Sequence, residues 1–209
     1  MITALLLIFE PASAWDRIVR NRRGTVAILL WYLIPLIALS CAAEGYGLVH
    51  WGKVRGDLGH VKQFPANQAV IIEVGQFILF LLEVFIGARM IKAVGETFHG
   101  RHTFQQTFTV VAYGMGPFFL ARFLDMFSGL TPWVPWAIGI LLTMGVLYNG
   151  LPKTMEPDPP HAFGLYLMSS LLLLFITGLA RFVTAWYLAG KLPALDSLVA
   201  SLASRLPLK

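Results

Sequence analysis

Apolar residues run along this chain in long blocks and do not alternate with polar ones. Stretches free of Asp, Glu, Lys and Arg cover 24–43, 103–121, 126–152 and 162–180, each near or beyond the ~20 residues that carry a helix across a ~30 Å hydrocarbon core. A fifth block, 70–91, is equally apolar apart from Glu73, Gln76, Glu83 and Arg89. The blocks predict an all-α polytopic membrane protein: a bundle of five transmembrane helices over about 24–48, 68–94, 103–124, 132–150 and 162–188, in one domain of residues 24–190. The connections at 50–67, 95–102, 125–131 and 151–161 are short, and an odd number of spans places the chain ends on opposite faces.

The flanks carry their own patterns. Residues 1–23 predict an amphipathic segment lying in the interface, with Leu5, Leu6, Ile8 and Phe9 on its apolar side, Trp15 at headgroup level and Arg17, Arg20, Arg22 and Arg23 toward anionic lipid. Ala12-Ser13-Ala14 superficially resembles a signal cleavage site, but no basic residue precedes the apolar run and Glu10-Pro11 interrupts it, so retention is expected. Pro132 and Pro135 fall where the fourth span begins, with Trp133 and Trp136 at interface depth. Four prolines between Leu151 and His161 predict a stiff loop. In the tail, 191–209, Leu195, Leu198, Val199 and Leu202 have the spacing of a short surface helix.

Composition agrees: 57% apolar and 13% charged residues, against the roughly 25% charged of soluble domains, exclude most cytoplasmic enzymes and any disordered protein. The net charge of +5 comes from scattered Lys and Arg with no run longer than Arg22-Arg23, which fits loops against anionic lipid and not a nucleic-acid partner. Orientation is undecided by count. Arg17, Arg20, Arg22, Arg23, Arg89, Lys92, Arg101 and Lys153 fall on the N-terminal side, and Lys53, Arg55, Lys62, Arg122, Arg181, Lys191, Arg205 and Lys209 on the other. Only the basic flank of the first span tips the balance, toward a cytoplasmic N-terminus.

Ionisable side chains at membrane depth cost about 2.5–3.5 kcal/mol each on the insertion scale, which makes them the functional candidates. Glu83 is the deepest. Gln76 lies seven residues before it and Gly87 one turn after, so the three share a stripe expected to point into the bundle, where Arg122 or Arg181 is available as a neutralising partner. A structural pair or protonated carboxyl that fixes packing, or a proton or cation pathway, are both open. Glu73 and Glu44 sit nearer span ends and read as interfacial, and Arg122 with Asp125 reads as a local structural pair. Tyr113-Gly114-Met115-Gly116-Pro117 predicts a kink inside the third span. His99 and His102 are too few for a closed metal site, Glu156, Asp158 and His161 form a proline-rich turn, and the lone Cys41 is expected to pack. No cofactor, metal or catalytic motif is indicated.

The chain resembles the Yip family, five-span membrane proteins whose eukaryotic members interact with Ypt/Rab GTPases, and specifically its bacterial branch. The matching pieces are Ile8-Phe9-Glu10-Pro11 with Ala14-Trp15-Asp16-Arg17-Ile18, Ala112-Tyr113-Gly114 with Pro117, and Leu147-Tyr148-Asn149-Gly150-Leu151. The resemblance implies a cytoplasmic N-terminus. The long hydrophilic N-terminal region of the eukaryotic members is missing here, which argues against a GTPase partner. A non-enzymatic membrane scaffold or adaptor follows as the expected function, binding other membrane proteins or itself, or shaping the bilayer, in a bacterial inner membrane. The alternatives are a small transporter or channel built on Glu83 with Arg122 or Arg181, and a lipid-handling protein, which would need a lateral groove between spans.

Overall fold

The computed structural model describes residues 2–55, 60–98, 100, 102–127 and 129–205. Five helical spans, Thr25–His50, Ala66–Thr97, Phe104–Met126, Trp133–Met155 and Pro159–Leu188, are long and apolar enough to cross a membrane. Two short helices precede them, α1 (Ile2–Phe9) and α2 (Pro11–Asn21), and α10 (Pro193–Ala203) follows, at the spacing the tail predicted.

Local chemistry explains how the spans begin and bend. The first span opens as α3 (Thr25–Ile28), passes through a π-helical turn at Leu29–Leu33 and continues as α4 (Ile34–His50). Pro35 just beyond that turn has no N–H to give to a regular ladder, and the widened turn absorbs the mismatch while aiming Tyr32 and Leu33 inward. The second span is α5 (Ala66–Thr97). The third starts on a capping box in which Thr103 and Gln106 satisfy each other's backbone N–H groups. It then breaks at Met115 between α6 (Phe104–Gly114) and α7 (Gly116–Ala121), where Pro117 forbids continuation, and closes in a 3₁₀ turn, Arg122–Met126. The fourth and fifth spans are α8 (Trp133–Met155) and α9 (Pro159–Leu188). The broken third span is the hub, 78% buried across its apolar window against 28% for the fifth span.

Three expectations are corrected. The connection at 50–67 holds an antiparallel hairpin, β1 (Lys53–Arg55) with β2 (His60–Lys62), in register Lys53 with Lys62. The proline-rich loop shrinks to Glu156–Asp158, because Pro152 sits in the last turn of α8, where it forfeits a single ladder bond, and Pro159 and Pro160 occupy the first turn of α9, where no N–H is needed. Most consequential, Trp15 does not face lipid headgroups. It is fully buried, its indole N–H donates to the Val146 carbonyl at 3.0 Å, and it carries α2 onto α8. The apolar side of the N-terminal segment (Ala4, Leu7, Ala14, Trp15, Ile18) is therefore core, while Ile2, Leu5 and Phe9 are exposed.

Candidate functional site

The intramembrane charges gather at the end of the bundle away from the N-terminus. Arg122 and Asp125 are three residues apart on a 3₁₀ turn, which stacks them on one face, 3.4 Å from each other. Arg122 donates through Nη2 to Glu44 of α4 and, at 2.8 Å, to Gln76 Oε1 of α5, while its guanidinium lies 4.6 Å from the centre of the Phe80 ring. Arg181 of α9 donates to Asp125 and, through Nε, to the Pro132 carbonyl at 2.8 Å, and lies 3.9 Å from Glu44. Glu44, Asp125, Arg122 and Arg181 are each at most 2% exposed. Two carboxylates and two guanidiniums alternate, so the cluster carries no formal net charge and ties three spans and the 3₁₀ turn together. Gly47, one turn beyond Glu44, permits this: a Cβ there would stand 2.4 Å from the Met126 carbonyl, so the two backbones touch.

Lys53 reaches into the same cluster from β1, its ammonium donating to the carbonyls of Asp125 at 2.7 Å and Phe127 at 3.3 Å. A cation on the last carbonyls of a helical turn is a favourable cap. Burial pulls its pKa below the usual lysine value, with Asp125 and Glu44 acting in opposition.

Glu83 is buried on the inward stripe with Gln76 and Gly87, and a Cβ on Gly87 would stand 2.9 Å from Leu173 of α9. The expected neutralisation is corrected: no ion pair joins Glu83 to Arg122 or Arg181 among the described residues, since both arginines are engaged with Glu44, Asp125 and Gln76, and Glu83 Oε2 has no hydrogen-bond partner. Glu44, read as lying near a span end, is buried inside the protein and paired with Arg122. Its signal was present in the sequence, because Ile37, Cys41, Glu44 and Leu48 recur every three or four residues and all face inward. Lys53 had no such signal, lying in a connection.

Glu73 has a third fate. It is 8% exposed and lines a lateral groove of about 520 Å³ between α4 and α5, with its carboxyl turned inward beside Gly45, where both oxygens are buried and have no hydrogen-bond partner. Small residues, Ala38, Cys41, Ala42 and Gly45 on α4 against Ala66 and Ala69 on α5, share its lining with larger ones, among them Tyr46, Val70 and Phe77.

The Tyr113 to Pro117 motif lies elsewhere, where the N-terminal helices dock. Tyr113 is sandwiched, its ring centre 4.4 Å from that of Tyr32 and 6.4 Å from that of Trp15. Gly116 leaves room for the Tyr32 hydroxyl, Gly114 for Leu147, and Gly150 of α8 for the Trp15 ring, which a Cβ would meet at 2.3 Å. Pro117 begins α7 and fixes the break.

The remaining candidates stay apart. His102 is buried against Gly95 of α5, and His99 lies outside the described residues. Glu156 takes a left-handed conformation that ends α8, and the His161 N–H donates to the Asp158 carbonyl at 2.8 Å. Cys41 is a buried free thiol. No group of three or more His, Cys, Asp or Glu is placed to hold a metal among the described residues.

No curated protein and no solved structure matches the chain. One family does, the Yip1 domain, over residues 5–181. That range takes in the docked N-terminal helices, the broken third span and Arg181 of the charge cluster, and this membrane-embedded chain belongs to the Yip1 domain family.

Proposed function

We propose that the protein is a non-enzymatic adaptor whose α4–α5 groove receives one transmembrane helix of another membrane protein. The groove itself carries the reading: small residues let helix backbones approach closely in lipid, and Glu73, whose carboxyl oxygens lie buried at the α4–α5 seam beside Gly45, turns outward to supply an acceptor for a polar or basic residue on the incoming helix. An unpaired carboxyl in hydrocarbon is costly, so a partner that bonds it gains specificity as well as affinity. Transport built on Glu83 with Arg122 or Arg181 loses its support, because those arginines brace the bundle.

We place the protein in a bacterial cytoplasmic membrane with its N-terminus in the cytoplasm. Lys53, Arg122 and Arg181 are buried in the charge cluster, which removes them from the lipid-facing charge of the far side. On the N-terminal side Arg17, Arg20, Arg22, Arg23 and Arg89 are exposed, as suits the anionic cytoplasmic leaflet.

The test is a photo-crosslinking residue at Ala42, inside the groove, against one at Phe175, exposed on the fifth span. A discrete protein adduct at Ala42, absent at Phe175 and lost in Glu73→Leu, is the expected result. Lipid adducts alone at Ala42, or the same protein adducts at both positions, would overturn the reading and favour lipid handling or nonspecific contact.

A further inference from the structure

A second concavity opens where α1 and α2 meet α6. Thr3, Leu6, Ala14, Arg17, Ile18, Asn21, Arg23 and Tyr113 line a pocket of about 120 Å³. At ~30 Å³ per water this is the room of about four waters, enough for one tetrahedral oxyanion and too little for a nucleotide. Its polar lining consists of two guanidiniums, the Asn21 amide and the hydroxyls of Thr3 and Tyr113, with no carboxylate. The nearest is Glu10, 3.9 Å from Arg17, while Asp16 is taken up by Lys153 at 2.5 Å.

The pocket is built, and its walls come from distant parts of the chain. Arg22 adopts a left-handed conformation, φ 41°, that ends α2 and folds the chain back. That reversal brings Arg23 into the same pocket lining as Tyr113, and Gln105 of α6 holds its backbone by donating to the Arg23 carbonyl at 3.2 Å. Ala14, Arg17 and Ile18 from one resemblance segment thus share a cavity with Tyr113 from another, and neither the span count nor the groove reading uses that meeting. Guanidinium forks match phosphate oxygens in geometry as well as charge. The rest of the lining is apolar (Leu6, Ala14, Ile18), and Leu6 belongs to α1, whose Ile2, Leu5 and Phe9 are exposed. A polar cup beside an apolar flank fits an amphiphile.

We propose that this pocket binds the headgroup phosphate of an anionic phospholipid from the leaflet on the N-terminal side, and that the bound lipid clamps α1 and α2 onto the third span. The inference rests on the pocket alone and stands whether or not the α4–α5 groove takes a helix.

Purified protein in nanodiscs of phosphatidylcholine, with phosphatidylglycerol titrated in, is read by native mass spectrometry and by melting temperature. One saturable phosphatidylglycerol per protein and a raised melting temperature are expected. Arg17→Gln with Arg23→Gln should weaken that site at least about tenfold more than Arg20→Gln with Arg22→Gln, which removes equal charge from positions that do not line the pocket. Tyr113→Phe keeps the ring between Trp15 and Tyr32, and should weaken binding without lowering the lipid-free melting temperature. Equal losses for the two arginine pairs would reduce the effect to general surface attraction and overturn the proposal. So would a site filled by millimolar inorganic phosphate with no preference for phosphatidylglycerol over phosphatidylcholine.

Discussion

The two ends of this bundle are locked by opposite means. At the N-terminal end the contacts are steric: Trp15 fills the gap over Gly150, Tyr32 the gap over Gly116, and Tyr113 meets Trp15 edge-on and Tyr32 at a tilt. At the far end the contacts are electrostatic: Arg122 and Arg181 span between Glu44 and Asp125, with Lys53 closing the cluster from outside. A steric lock tolerates loss of a polar group and fails when atoms are added. A buried ionic lock tolerates neutral replacement of a whole pair and fails when one charge is left alone. The difference also sorts the acidic side chains, since Glu44 and Asp125 are tied into the lock while Glu73 and Glu83 stand outside it.

The largest effect should come from unbalancing the ionic lock. Arg122→Met leaves Glu44 only its 3.9 Å contact with Arg181 and is expected to lower stability in detergent by about 3–5 kcal/mol, the range for removing one partner of a buried pair. Adding Glu44→Leu to that variant should recover much of the loss, leaving Arg181 with Asp125. A double variant no better than the single, followed by denaturant titration, would show that the cluster is not acting as charge pairs.

The steric lock should respond to added volume. Gly150→Leu must displace a fully buried Trp15 and is expected to cost roughly 1–3 kcal/mol, the usual range for overpacking. Gly114→Leu, which meets Leu147, should cost somewhat less because that side chain can turn. Gly145→Leu on the same helix as Gly150 has nothing within 4 Å, and should be neutral or slightly stabilising, glycine being a poor helix former. Equal melting temperatures for the three would break the comparison.

The smallest expected effect is on pH dependence. Burial holds the His102 imidazole below its usual pKa, with Glu96 opposing weakly. The folded state then favours the neutral ring, so the stability it contributes is intact above the unfolded value of about 6.5 and is lost as pH falls through the lower folded value. Melting temperatures from pH 7.5 down to 5 should fall more steeply for the parent protein than for His102→Gln, and parallel curves would count against it.

Much of the fold was legible before any coordinates, because span length and hydrophobicity are local properties. The break at Met115 was legible too, since two glycines and a proline within four residues, Gly114 to Pro117, weaken a helix and remove a ladder N–H at one place. The partners of the charges were not. Arg122 had Glu83, Glu73 and Glu44 within plausible reach, and the choice of Glu44 follows from the backbone contact at Gly47, which no spacing rule reports. Trp15 misled for a related reason: a tryptophan beside arginines is as common at an interface as over a glycine, and only the cavity above Gly150 separates the two.

By itself, then, the sequence determined a five-span helical membrane protein, the place of its internal break and the set of ionisable groups carried into the bilayer. Those features depend on hydrophobicity, proline geometry and the cost of moving charge into hydrocarbon, all of which act residue by residue. Tertiary structure alone decided that four charges neutralise one another, that Glu73 is left beside a groove without a partner, and that Arg17 and Arg23 line one pocket with Tyr113. Each of these is a matter of which surfaces touch, and close approach at a few glycines settles that for segments far apart in the chain.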